Sequence, residues 1–183
     1  MKGLLARTSR RRIALAAVIC AAVTVTAFGG LASAGDEHSL SAVTKSATGR
    51  FHNLAAAKDA GYAILPDANG ITCIDNQPVG GMGVHYANSE LVGNPAIDPL
   101  HPEALVYAPN GSGQLKLAAL EYVVFKADWD ATHSSKPSLF GRDFDLTPFP
   151  NRFGLPAFYS LHAWVWEPNS AGFLEPWNPR VHC

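Results

Sequence analysis

The chain has 183 residues, with 14 Lys and Arg, 15 Asp and Glu and a formal net charge of −1. Five of the basic residues and none of the acidic ones lie in residues 1–34, so the rest carries nine basic against 15 acidic groups, a balance of −6. An acidic surface without a cluster of Lys or Arg argues against nucleic acid and anionic membranes as partners.

The N-terminal segment, residues 1–34, has the order of features that is typical of a cleavable signal peptide. Basic residues crowd its first twelve positions, an uncharged run extends from Ile13 to Phe28, and Ala32-Ser33-Ala34 matches an A-x-A cleavage site. The alternative is a membrane anchor, but a span needs about 20 strongly apolar residues, and this run is shorter and rich in Ala and Thr. The sequence therefore predicts a secreted protein with no stable membrane anchor and a single globular domain over residues 35–183.

The export route stays open at the level of sequence. Ser9-Arg10-Arg11-Arg12-Ile13 resembles the twin-arginine motif, whereas the same residues also fit an Arg-rich leader of the general secretory (Sec) route. The difference matters because the twin-arginine route exports folded proteins, often with a cofactor in place.

The first predicted element of the domain is a helix from about Ser41 to Ala60. Apolar residues recur at helical spacing through Phe51 and Leu54, Ser39 or Ser41 can cap its start, and Gly61 stands where a C-terminal cap belongs. Its apolar stripe needs a sheet to cover it.

Short strands are predicted after the helix. All 13 prolines lie beyond residue 34, which argues against further long helices. One helix followed by adjacent strands predicts an α+β fold, in which the N-terminal helix packs on a mainly antiparallel sheet with long Pro-rich loops. The predicted strands are Ile71–Ile74, Gly81–Tyr86, Leu105–Tyr107, Gln114–Lys126 and Ala157–Trp166, with Ala127–Pro156 as a long ordered loop.

Two cysteines, Cys73 and Cys183, remain once Cys20 leaves with the leader. An even pair in an oxidising compartment predicts a disulfide that holds the C-terminal segment to the rest of the domain. Two separate thiols that act as metal ligands are the alternative.

The longest predicted strand places a carboxylate among apolar side chains. Glu121 shares one face of Gln114–Lys126 with Leu, Ala, Val and Phe residues, while the opposite face, bounded by Lys116 and Lys126, is predicted to be more solvated. A buried carboxylate is costly unless it is paired, protonated or bound to a metal.

Two histidines show the same pattern. His162 shares a strand face with aromatic residues, and His85 shares one with glycines that let a backbone or a ligand come close. If the three strands are neighbours, His85, Glu121 and His162 converge on a site that suits Zn²⁺ or non-haem Fe²⁺. His101 is a fourth candidate ligand, and the predicted pocket wall consists of Tyr86, Tyr122, Phe158, Trp164 and Trp166.

Other interpretations of these residues remain open. Glu121 could form a structural ion pair with Arg142, Arg152 or a histidine, or it could work with a histidine as a metal-free acid–base pair. No complete catalytic motif is present, so the sequence does not decide whether the protein is an enzyme. Four tryptophans and Pro-rich loops also fit a non-catalytic extracellular module that binds a small ligand, or a cell-envelope interaction protein.

Several short motifs resemble a set of small exported bacterial proteins of unknown function. The resemblance extends from about Phe51 to Cys183 and implies a shared fold, but it implies no activity and no functional residues. The motifs are G-M-G-V-H-Y (81–86), H-P-E-A-L-V-Y (101–107), L-E-Y (120–122), L-F-G (139–141), L-H-A-W-V-W-E-P-N (161–169) and W-N-P-R-V-H-C (177–183).

Overall fold

The computed structural model describes residues 34–183, with side chains from residue 39 onward. Except for Ala34, the predicted signal peptide therefore lies outside the described residues. The described part is an α+β structure in which a few helices pack on a mainly antiparallel sheet of seven strands, which confirms the predicted fold class. No helix within residues 34–183 is long and apolar enough to cross a membrane.

The N-terminal helix is broken rather than continuous. The Asn53 side chain accepts a hydrogen bond from Ala55 N at 3.0 Å and caps a new helix, so the prediction of one helix from Ser41 to Ala60 is wrong. Its predicted end is confirmed, because Gly61 adopts a φ of 89° and its N–H donates to the Lys58 carbonyl at 3.0 Å. The helices are α1 (Ala34–Thr48), α2 (Leu54–Asp59), α3 (Ser89–Val92) and α4 (Lys126–Asp130), and a 3-10 turn (Gly49–His52) joins α1 to α2.

Nine strands follow the first two helices. In the main sheet the order is β1-β3-β4-β5-β9-β8, β2 also pairs with β3, and every pairing is antiparallel. The remaining two strands, β6 and β7, form a separate hairpin inside the segment that was predicted as a loop. The strands are β1 (Ala63–Ile64), β2 (Cys73–Asn76), β3 (Gly80–Ala87), β4 (Ala104–Pro109), β5 (Leu115–Phe125), β6 (Ser138–Leu139), β7 (Arg142–Asp143), β8 (Asp145–Thr147) and β9 (Phe158–Ala163).

The larger hydrophobic core lies on the face of the sheet that the helices cover. Leu120, Tyr122 and Val124 of β5 are fully buried there with Phe51 from the 3-10 turn and Ala57 of α2. The prediction that this face of β5 is the more solvated one is therefore wrong. Its lysines lie at the strand ends, whereas Leu120, Tyr122 and Val124 pack beneath the helices and Ala118 packs with Val106 and Trp164.

The C-terminal segment covers part of the opposite face. Val181 packs with Val106 and Trp164 in a second, smaller core cluster, and Gly81 N donates to the Asn178 carbonyl at 3.1 Å. The predicted disulfide is confirmed, because Cys73 of β2 is bonded to Cys183 across a sequence separation of 110 residues. The two sulfurs are thus not available as metal ligands.

Candidate metal centre

Strands β3, β5 and β9, with β4 between β3 and β5, bring the two histidines and the glutamate to one face of the sheet. Glu121 on β5 pairs directly with His162 on β9, and its partner on the other side is Ala104 of β4. His85 on β3 pairs with Val106, two residues along β4 from Ala104. Because side chains two apart on a strand share a face, all three functional groups point to the same side.

The ligand atoms of this cluster lie close together. Nε2 of His85 lies 3.4 Å from Nε2 of His162 and 3.4 Å from Oε2 of Glu121. The other ring nitrogen of His162, Nδ1, lies 3.7 Å from Oε1 of Glu121. One nitrogen or oxygen from each residue falls within 4.8 Å of the others, which is a spacing that can hold a metal ion.

These separations match the geometry of a small divalent cation. With metal–ligand bonds of 2.0–2.1 Å, two ligands of a tetrahedral site lie about 3.3 Å apart. The two 3.4 Å separations around His85 Nε2 therefore need little adjustment to accept an ion.

Burial keeps the two imidazoles neutral. The side chains of His85 and His162 are 1% and 3% exposed, and burial lowers the pKa of each to about 4. The Glu121 carboxylate opposes this change at His85, and the Asp145 carboxylate opposes it at His162. A neutral imidazole is the form that binds a metal.

The carboxylate is held in an unfavourable environment. The Glu121 side chain is only 12% exposed, and burial raises its pKa, although the nearby His85 and a hydrogen bond with Ser160 lower it in part. The two arginines proposed as structural partners are engaged elsewhere: Arg142 pairs with Asp145 and Glu175, and Arg152 pairs with Asp67. Within the described residues, the ion-pair contacts of Glu121 are therefore to histidines that burial keeps uncharged.

The second ring nitrogen of His85, Nδ1, lacks a good hydrogen-bond partner in the described part of the chain. Nδ1 of His85 is buried and makes no hydrogen bond of normal geometry to any described residue, although the backbone of Gly83 interacts weakly with it. If Nε2 binds a metal, this nitrogen carries the proton and faces the backbone. Residue 83 must be a glycine for β3 to approach β4 this closely, because a Cβ at this position would lie 2.5 Å from the Tyr107 carbonyl oxygen.

Aromatic rings surround the cluster, and two of the predicted wall residues are among them. Trp164 stacks on His162 with ring centroids 6.3 Å apart. Phe158 lies four residues before His162 on the same face of the strand. Phe153 contacts both His85 and Phe158, with its ring centroid 6.3 Å from that of the histidine and 6.4 Å from that of the phenylalanine. Its sequence pattern did not predict a place in the pocket wall. It belongs to an irregular segment, where strand alternation gives no information.

The other predicted wall residues lie elsewhere. Tyr86 packs against Tyr107, and the Tyr122 hydroxyl donates to the Pro99 carbonyl, both on the helix-covered face. Each follows a cluster residue directly along its strand, so it points to the opposite side of the sheet. Trp166 lies at a separate surface groove, where its ring contacts His52.

The structure does not bring His101 to the cluster. This residue lies in the turn before β4, where its exposed ring bonds through Nδ1 to Asp98 Oδ2 at 2.8 Å. The same turn is closed by Asp98 Oδ1, which accepts a hydrogen bond from Leu100 N at 2.8 Å.

A second buried carboxylate, Glu103, lies on the helix-covered face. It directly precedes β4, is almost fully buried, and accepts a hydrogen bond from Val123 N through Oε2 at 2.9 Å. Burial is the main cause that raises its pKa, the hydrogen bonds oppose the change and the charges of Glu121 and Asp98 add to it, so that the pKa of Glu103 is about 8. The only sequence signal for it was an acid immediately before an apolar strand.

Glu103→Gln is expected to stabilise the protein increasingly as pH rises. The folded-state pKa is raised from 4.5 to about 8, so the stability that the protonated carboxyl provides is present below pH 4.5 and is lost as pH rises through 8. Gln keeps an acceptor for Val123 N and does not ionise, so its advantage in the free energy of unfolding should reach about 4 kcal/mol at pH 8 and fall below about 1 kcal/mol at pH 5.

Urea unfolding of wild type and variant across this pH range measures the difference. Glu90→Gln, at an exposed acid in α3, is the matched control and should not change the pH slope. A Glu103→Gln protein whose stability follows the wild-type pH dependence would contradict the prediction.

A small cavity adjoins the carboxylate. It has a volume of about 40 Å³ and is lined by Glu121 together with Val123, Phe153, Phe158 and other apolar residues. A water molecule needs about 10–15 Å³ of cavity volume, so this cavity has room for about two or three small ligand atoms. The cavity therefore offers space beside the Glu121 carboxylate for a small exogenous ligand.

Comparisons of the chain with known protein families, with curated proteins and with solved structures give no match.

Proposed function

We propose that this protein is an exported metal-binding protein whose centre is formed by His85, Glu121 and His162. The proposal depends on one observation: a buried carboxylate and two buried imidazoles present ligand atoms within 4.8 Å of one another. Without a cation, this arrangement removes a carboxylate from water and gives it no positively charged partner among the described residues. A divalent cation would compensate that cost.

Two nitrogens and one carboxylate suit Zn²⁺ or Fe²⁺ better than Ca²⁺ or Mg²⁺, which prefer oxygen ligands. Three protein ligands leave at least one position for an exogenous molecule, which is the arrangement of sites that act on a ligand rather than of closed structural sites. The cavity beside Glu121 is where such a molecule would lie. The alternative of a metal-free acid–base pair predicts the same burial but no uptake of metal.

Metal titration of the purified protein tests this proposal. We expect chelator-treated protein to take up about one Zn²⁺ per chain by calorimetry, and protein purified without chelator to contain metal by elemental analysis. Substitution with Co²⁺ should give the visible absorption of an ion with nitrogen and oxygen ligands.

His101→Ala is the matched control, because it removes an exposed histidine outside the cluster and should leave metal uptake unchanged. A wild-type protein that takes up no divalent metal by any of these measurements would refute the proposal.

A further inference from the structure

An apolar groove opens on the surface next to the cavity at Glu121. It has a volume of about 340 Å³ and is formed by β1, the end of β3, α3 and the segment that contains Leu155. Ile64 of β1 forms part of its rim and is 45% exposed. A hydroxyl, that of Ser89, is the one side-chain polar group among the described residues that line it.

The groove and the cavity share a wall. Leu65, Ala87, Val92 and Leu155 line both spaces, so they separate the groove from the cavity that reaches Glu121. Two of the four belong to connections rather than to the central strands: Leu65 directly follows β1, and Leu155 lies in the segment before β9. Small movements of these aliphatic side chains would join the two spaces into one channel.

We propose that the groove binds the hydrocarbon chain of a small amphiphilic molecule whose polar end reaches the metal at Glu121. This inference depends on the proposed function for the polar end, whereas the binding of the chain depends on the groove alone. The volume falls within the range of small-molecule pockets, about 300–1,000 Å³, and the absence of charged side chains from its described lining disfavours a sugar, a nucleotide or a peptide.

The narrow inner cavity determines the shape of the ligand. At about 40 Å³ it accommodates a terminal group of a few atoms and not a ring system. The ligand class that fits both spaces is therefore an unbranched aliphatic chain that ends in a carboxylate, an aldehyde or an alcohol. A carboxylate is favoured only with the cation present, because Glu121 would otherwise repel it.

Chain length is the variable that tests the inference. In Co²⁺-loaded protein, straight-chain carboxylates from acetate to octanoate should perturb the visible absorption at concentrations that fall about threefold per added methylene, because each one leaves water for an apolar surface. In chelator-treated protein, straight-chain alcohols from butanol to octanol should displace the dye N-phenyl-1-naphthylamine with a similar dependence on length.

Two variants test whether the hydrocarbon chain of the ligand lies in the groove. Ile64→Asp introduces a charge at the rim and should remove the dependence on chain length while leaving metal uptake and the acetate response unchanged. Ile64→Trp should do the same by filling the groove, which covers the case in which the aspartate disturbs β1. Ile71→Asp is the matched control, since Ile71 is 48% exposed and lies outside the groove.

The outcomes separate the two proposals. Metal uptake with carboxylate and alcohol responses that do not depend on chain length, or that Ile64→Asp and Ile64→Trp leave unchanged, would overturn this inference and keep the metal centre. Failure of metal uptake would overturn the proposed function and, with it, the placement of the polar end. In that case the alcohol series alone decides whether the groove binds aliphatic chains.

Discussion

Glu121→Gln is expected to lower the affinity of the protein for Zn²⁺ more than 100-fold, because loss of a direct ligand should exceed the roughly 10- to 100-fold cost of losing a group that only supports one. The amide keeps the size of the side chain but loses the charge that compensates the cation. Calorimetric or competitive titration with a chromophoric chelator measures the change. His85→Ala and His162→Ala should have effects of similar size, because each removes one nitrogen of the same cluster.

The same substitution should make the metal-free protein more stable. Burial raises the pKa of Glu121, so the stability that the protonated carboxyl provides is present below its unfolded-state pKa and is lost as pH rises through the raised folded-state pKa, above which the ionised carboxylate destabilises the fold. Removing it should raise the free energy of unfolding of the metal-free protein by about 1 kcal/mol at pH 7. A site kept for stability would show the opposite sign, so metal-free Glu121→Gln protein that is clearly less stable than wild type would favour a structural ion pair. Glu90→Gln is again the matched control.

Removal of the disulfide is expected to have the largest effect on stability. The Cys73–Cys183 bond closes a loop of 110 residues, which corresponds to about 4–5 kcal/mol in the chain-entropy model. The double variant Cys73→Ser/Cys183→Ser should lose most of this amount in urea unfolding. Reduced wild-type protein provides the control, since its stability should equal that of the double variant.

Metal uptake should survive this change under conditions in which the double variant stays folded. Neither sulfur is a ligand, and the hydrogen bonds of β3 with β4, which carry the register of His85, remain. The double variant could lose less than about 1 kcal/mol of unfolding free energy, against the about 4–5 kcal/mol of the chain-entropy model. That result would show that other contacts already restrict the C-terminal segment in the unfolded state, and it would contradict the prediction.

Local sequence patterns were sufficient to predict Glu121 and His162 as candidate ligands, but they also gave His101, which the structure does not bring to the cluster. Glu121 and His162 interrupt apolar alternation on long strands, and antiparallel pairing of these strands then placed them opposite each other. His85 required one more condition, that β3 and β5 lie on either side of β4, which no local pattern specifies. The fold class followed from one helical segment and a series of short strands. The order of strands and the break at Asn53 did not.

The errors have physical causes. Tyr86 and Tyr122 adjoin His85 and Glu121 in sequence, and the period of two along a strand should have placed them on the other face. The lysines at the ends of one face of β5 suggested solvent, although Leu120, Tyr122 and Val124 between them are buried in the core beneath the helices. Glu103 and Phe153 acquire their surroundings from segments distant in sequence, so their environments depend on packing that a linear pattern does not encode.

The segment before β9 has a consequence for the rate at which the proposed metal centre would exchange an ion. Phe153 lies over His85, and Leu155 closes the cavity at Glu121. Arg152, next to Phe153, forms an ion pair with the buried carboxylate of Asp67, with Nη2 and Oδ2 3.0 Å apart. In addition, Ala68 N donates a hydrogen bond to the Arg152 carbonyl at 2.9 Å. Opening of the contact between Arg152 and Asp67 would release this segment, so we expect the contact to slow the exchange of a bound ion, while the three ligands determine its equilibrium affinity.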